Sequence, residues 1–258
     1  MHWIKHMMYL AEDQIENGFR YHRPEKSFPP KATTYPDEYD GSSKLNIVCT
    51  QLTISDYQQR KLVNQWCQLL PEMNQIRYLW FSSRVNQAML DAVCDNHFIE
   101  GLYIKWGGIK DLTKLKNMKS LKFFHLGTSP SVESIEVFLE MGQLIVLELE
   151  NIKKIRDLSP LHILNKLEGL AITGSMWTTQ IVNSLEPLST LENLRYIFLF
   201  NLNVLDRTLA PLAKIKTSQS IKTYYWWPKS EFQLLRDSLP ELKYGSPCET
   251  ELIDQFGM

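Results

Sequence analysis

A six-residue phrase with apolar side chains at its first, fourth and sixth places recurs seven times along this chain, and near-constant spacing of that kind leaves few folds open. The copies are IRYLWF from Ile76, IEGLYI from Ile99, LKFFHL from Leu121, LIVLEL from Leu144, LEGLAI from Leu167, LRYIFL from Leu194 and IKTYYW from Ile221. Their steps are 23, 22, 23, 23, 27 and 27 residues. All 21 of those places are apolar, where a 44% hydrophobic composition would fill about nine. A second register precedes the first: nine, six and three residues before the first six copies, 17 of 18 places are apolar, with Asn96 the exception. Spacing of three suits a 3-10 or short helical return, and spacing of two at the end of each phrase suits a strand. One such unit cannot bury its apolar face, so the copies stack, share a core and pair their strands in parallel.

The passages IKDLTKLKNMKSLKFFHL from Ile109 and IRDLSPLHILNKLEGLAI from Ile155 resemble leucine-rich repeat proteins, in particular the short-repeat bacterial type typified by internalins. LEPLSTLENLRYIFL from Leu185 and LAPLAKI from Leu209 repeat the Leu-x-Pro-Leu part. The resemblance spans roughly residues 45 to 245. It implies an α/β solenoid, a leucine-rich repeat horseshoe with a parallel concave β-sheet and short helices or 3-10 turns on its convex side. The expected organisation is an N-terminal capping helix and loop over 1–44, a solenoid of about seven to eight repeats over 45–228 and a C-terminal cap over 229–258. The asparagine such repeats place after the strand is irregular here, with only Asn151 and Asn201 near its position. The 27-residue steps carry extra residues around Trp177 to Ile181 and Lys216 to Ser220, which predicts uneven curvature there.

Helical spacing appears from Ile54, from Arg84 and from Ser129, the last with Ser129 as N-cap and Pro130 at the first helical position. Trp3, Ile4, Met7, Met8, Ala11, Ile15 and Phe19 share one helical face, suited to covering the open first strand. The stretch from Arg20, rich in Pro, Ser and charge, is expected to be a loop, and LNIVCT from Leu45 an irregular first strand. SEFQLLRDSLPELKY from Ser230 predicts a closing helix and a short strand near Leu242.

With 28 basic against 29 acidic residues the chain lacks the basic excess that nucleic acid or anionic lipid selects for, so neither is an expected partner. Cys49, Cys67, Cys94 and Cys248 lie far apart and form no CxxC pair, which fits a reducing cytoplasm. The first residues resemble neither a signal peptide nor a membrane span. His2 and His6 stand four apart without the glutamate of HExxH or a third ligand, and neither a phosphate loop nor a nucleophile elbow occurs. Gly107 and Gly108 follow a strand and suit a turn, and Asp111 and Asp157 occupy one place in two repeats. No catalytic residue, metal or cofactor is expected, and the chain is not expected to be an enzyme.

Strand places three, five and seven point away from the core and form the inner curve. There the sequence sets rings in two groups, Tyr78, Trp80, Tyr103 and Phe123, then Tyr196, Phe198, Phe200, Tyr225 and Trp227. Lys105, His125, Glu148 and Glu150 lie between and beside them, with Gly169, Ala171 and Thr173 leaving a roomier acidic middle. Bare rings of this kind dominate protein interfaces. The expected function is therefore protein binding through the concave face, with a basic loop or helix of the partner in the acidic middle. Short stand-alone repeat proteins resembling this one act as bacterial immunity proteins that neutralise a cognate toxin. An adaptor or regulatory subunit of an enzyme complex, or a secreted effector binding a host protein, are the alternatives.

Overall fold

The computed structural model describes residues 8–17, 29–224 and 226–256. Ten strands form one parallel sheet: β1 (Ala32–Thr33), β2 (Lys44–Ile47), β3 (Tyr78–Phe81), β4 (Gly101–Trp106), β5 (Phe123–Thr128), β6 (Val146–Glu150), β7 (Gly169–Thr173), β9 (Tyr196–Leu199), β11 (Ser220–Thr223) and β12 (Tyr244–Gly245), in that order. β8 (Gln180–Val182) and β10 (Leu202–Val204) pair in a second, two-stranded parallel sheet. Short 3-10 turns return the chain in the middle repeats, at Thr113–Asn117, Glu136–Glu140, Ser159–Leu161, Glu186–Thr190 and Ala210–Lys214. The α/β solenoid with a parallel concave sheet is thus the observed fold.

Strand alternation sets the core. Leu79, Leu102, Phe124, Leu147, Leu170 and Ile197 stand in one cross-strand row and are fully buried, and the row of Phe81, Ile104, Leu126 and Leu149 beside it is buried as well. Behind them pack the residues at threefold spacing, such as Leu112, Leu115 and Met118. A polar row fixes the entry to each return: Asp111, Ser134, Asp157, Ser184 and Thr208 each accept a hydrogen bond from the amide two residues on. Side chains of these types form such local turns in preference to helix.

That row also corrects the last repeat. Ile221 pairs with Ile197, a step of 24 residues, so the final phrase begins at Ser218 and not at Ile221. Leu209, Leu212 and Ile215 then fall nine, six and three residues before it, all buried. Ser218 breaks the apolar pattern yet is fully buried, its hydroxyl donating to the Leu194 carbonyl at 3.3 Å. No residues are therefore inserted at Lys216 to Ser220. The one long step among the seven phrases, from Leu170 to Ile197, holds the extra residues that make β8. The segment from Ser129 is a 3-10 turn at Glu136–Glu140, and Ser129 is buried ahead of a tight turn rather than capping a helix.

True helices occur near the ends. α1 is Glu12–Asn17, α2 Asp56–Leu69, α3 Gln87–Cys94, α4 Lys229–Ser238 and α5 Thr250–Phe256. Ser55 and Gln58 form a capping box on α2, and Asn86 caps α3 through the Met89 amide. The indole of Trp66 on α2 donates to the Thr34 carbonyl at 2.9 Å and pins the stretch that carries β1, so part of the expected loop is ordered and pairs as the edge strand. At the other end β12 forms near Leu242, as the spacing suggests. Gly245 has φ of 92°, and a Cβ there would lie 2.1 Å from the Ile221 carbonyl oxygen, so only glycine lets this strand close the stack.

Candidate functional site

The inner curve carries the predicted side chains on the predicted face, but most of them are covered. Trp80, Tyr103, Phe123, Val146 and Tyr196 are buried in an apolar cluster separate from the main core, with Tyr78 and Phe198 half-buried against it. Trp80 lies flat on Tyr103, ring centres 4.9 Å apart, and Tyr78 stacks on Trp80 at 6.3 Å. Burial beside Glu148 holds the Tyr103 phenol well above its ordinary pKa, with desolvation the larger cause. The expectation of bare rings is corrected here: at 3% exposure Trp80 is not a surface group.

Nor is the middle an open acidic patch. Glu148 is buried and accepts from or ion-pairs with His125, Oε2 to Nδ1 3.1 Å, and Glu150 accepts from the Thr128 hydroxyl at 2.6 Å. With Gly169 and Ala171 buried as well, no roomy acidic seat is left for a basic loop. Lys105 is exposed, as expected of a concave residue.

Part of the cover is the chain's own N-terminal segment. Leu10 and Ile15 belong to the ring cluster, and the Tyr9 ring meets Phe123 edge-on at 6.2 Å. The amides of Tyr9 and Leu10 donate to the Glu168 carboxylate at 2.8 and 3.0 Å, and the Arg195 guanidinium donates to the Leu10 carbonyl at 2.8 Å. Arg195 also ion-pairs with Glu168 at 3.4 Å. Farther on, Glu12 accepts from the Tyr244 hydroxyl at 3.1 Å and pairs with Lys243 at 3.4 Å, which lowers its pKa, the Tyr244 bond contributing most. Residues 8–17 thus cross from β5 to β12 instead of closing the first strand, where β1 sits. Trp3, Ile4, Met7 and Phe19, expected on the same helix, and His2 and His6 lie outside the described residues. This strap is thus held by two buried aliphatic side chains and by main-chain hydrogen bonds to Glu168 and Arg195.

What stays open lies at the C-terminal ends of the last strands. Phe198, Phe200, Tyr224 and Trp226 form a continuous run of rings, with successive centres 5.7, 4.3 and 3.9 Å apart. Phe200 and Trp226 are exposed. The register correction explains the membership: place seven of the last repeat is Tyr224. Trp227, predicted at the surface, is packed in the main core, its indole donating to the Thr223 hydroxyl at 3.1 Å. Tyr225 lies outside the described residues. Beside this run the turn after β7 presents Met176 and Trp177, 86% and 91% exposed. The turn is fixed rather than loose, because Asn201, at φ 49°, donates to the Ser175 and Thr178 carbonyls and accepts from the Thr179 hydroxyl. Sequence reasoning missed Met176, Trp177, Tyr224 and Trp226; the polar row ending at Thr208 was the available signal for the last two.

Among the described residues no group of three or more His, Cys, Asp or Glu side chains is arranged to hold a metal ion. Asp111 and Asp157 are turn residues, each held below the ordinary carboxylate range by the hydroxyl and amide of Thr113 or Ser159. All four cysteines are free, and burial pushes the Cys49 and Cys94 thiols up to about 12, far from reactive thiolates. Among the described residues no helix is long and apolar enough to cross a membrane.

No protein-family model and no curated protein matches the chain. Solved structures do. An internalin from Listeria monocytogenes superposes with a TM-score of 0.51 at 16% identity, over 68% of this chain and 55% of that one. Internalin C2 of the same organism gives 0.52 at 19%, over 69% and 73%. The chain thus spans little more than half the length of the first. At such identities the likeness speaks for the fold, and it agrees with the repeat spacing and the parallel ladder: the chain has a leucine-rich repeat fold like that of the internalins.

Proposed function

We propose that the chain is a protein-binding module that docks through the ring run Phe198, Phe200, Tyr224 and Trp226 together with Met176 and Trp177. One observation carries this reading: a tryptophan and a methionine stand almost wholly in water on a turn that Asn201 holds rigid, beside a continuous aromatic strip. Apolar area of that kind favours association, and a preset turn spares the ordering cost of binding. Phe198 and Phe200 keep the binding role expected of them, and Lys105, exposed on β4, lies outside this surface. Trp80, Tyr103, Phe123, His125, Glu148, Tyr196 and Trp227 act in this reading by shaping the sheet beneath.

Within that class the finer role is immunity, in which the module neutralises a cognate toxin by covering its active site inside the cytoplasm. Its support is the resemblance to short stand-alone repeat proteins of that kind, and a neighbouring toxin-like reading frame would favour it over an adaptor. The test is capture from native lysate by the wild type and by Phe200→Ala/Trp226→Ala, with partners identified by mass spectrometry. Hot-spot loss of about 2 kcal/mol or more per side chain should abolish the specific band while the melting temperature holds. Equal capture by both proteins would remove this surface from the account.

A further inference from the structure

The buried ring cluster is a different surface, and its occupant is instructive. Leu10 and Ile15 pack into it, while Glu168 and Arg195 grip only main-chain atoms of residues 9 and 10. Main-chain clamps of this kind accept any sequence, and apolar pockets at fixed spacing supply the selectivity, which is how grooves receive peptides. Over the described residues α1 runs Glu12–Asn17 and meets the cluster through Ile15. The trough that continues beside Met8 and Tyr9 encloses about 810 Å3. Its charged lining is Lys119, Lys122, Lys166 and Arg195 against Glu168 and Glu241; Arg195 pairs with the buried Glu168 and Lys122 with Glu100, which leaves Lys119 and Lys166 against Glu241 at the rim. The strap sets Glu12 against Lys243 and Tyr244.

We propose that this face is a peptide groove, occupied in cis by residues 9–15, whose ligand in trans is an acidic amphipathic segment of another protein. That segment enters extended, turns into a short helix and carries apolar side chains five residues apart, as Leu10 and Ile15 are. The proposal rests on the reading of the chain as a protein-binding module and shares with the ring run only Phe198, which is half-buried against the cluster. It reverses the charge expected of the partner, because the acidic centre is closed and the accessible rim is basic.

The test uses the full chain and a fluorescein-labelled peptide of residues 8–17, MYLAEDQIEN, followed by anisotropy. Leu10→Ala/Ile15→Ala loosens the strap, so this variant should bind the peptide at least tenfold more tightly than the wild type. A peptide with alanine in place of both apolar residues should not bind. Equal binding to variant and wild type, no binding to either, or equal binding of the alanine peptide overturns the proposal. So does light scattering that finds the wild type dimeric through exchanged straps, since the occupant is then a second copy. If the double variant does not fold, Glu12→Lys sets like charges against Lys243 with both apolar anchors intact, and the same tenfold gain is expected. Phe200→Ala/Trp226→Ala should leave the peptide affinities unchanged, so failure here and failure of the ring-run surface are separable.

Discussion

Leu170 and Trp80 mark the two faces of one strand pattern. Leu170 sits in the interior row with no exposure, and Leu170→Ala should cost about 2–5 kcal/mol, read as a lower midpoint in urea. Trp80 faces the other way, yet Trp80→Ala should also lower the midpoint, because the ring is enclosed against Tyr103. A midpoint unchanged by Trp80→Ala would mean the cluster lends no stability. Alternation at the residue scale was readable from the letters, since a strand fixes which side each Cβ takes. What covers the second side was not readable. Part of the cover comes from residues 9 to 15, about 160 positions away from Glu168, and no period in the sequence links such distant partners.

Among elements, the strands and returns of the middle repeats were legible because each obeys two registers at once. The last strand was misplaced by three residues because Ser218 stands where an apolar residue belongs, while Tyr224 and Trp226 imitate the pattern downstream. The polar turn row would have settled it, and it has its own signature in acid. Asp111 and Asp157 have folded pKa values below that of the unfolded chain. The stability they add is present above the ordinary aspartate value, about 3.9, and is lost as pH falls through the lower folded one. In an acid titration followed by circular dichroism, Asp111→Asn/Asp157→Asn should unfold over a shallower range than the wild type, with the two converging below that window. Both carboxylates are exposed, so the difference should be small. Parallel acid limbs would remove the charge from the account of these turns.

Across the whole molecule, a stack of repeats contacts mainly its neighbours, and the strap is the exception. It touches Phe123, Glu168, Arg195 and Tyr244 together, so elements that would otherwise loosen one after another share a tie. In hydrogen exchange, β11 and β12 should open with the middle strands in the wild type and well before them in Leu10→Ala/Ile15→Ala. Identical exchange order in both proteins would show the tie to be slack.

Gly245 carries a consequence for how the chain reaches this state. Its backbone lies within touching distance of Ile221, and it admits no side chain, so the final strand can seat only after β11 is in place. The strap, which reaches Tyr244 through Glu12, can make that contact only once this strand is seated. Synthesis delivers Glu12 232 residues before Tyr244, which gives this protein a delay between emergence and closure set by translation itself.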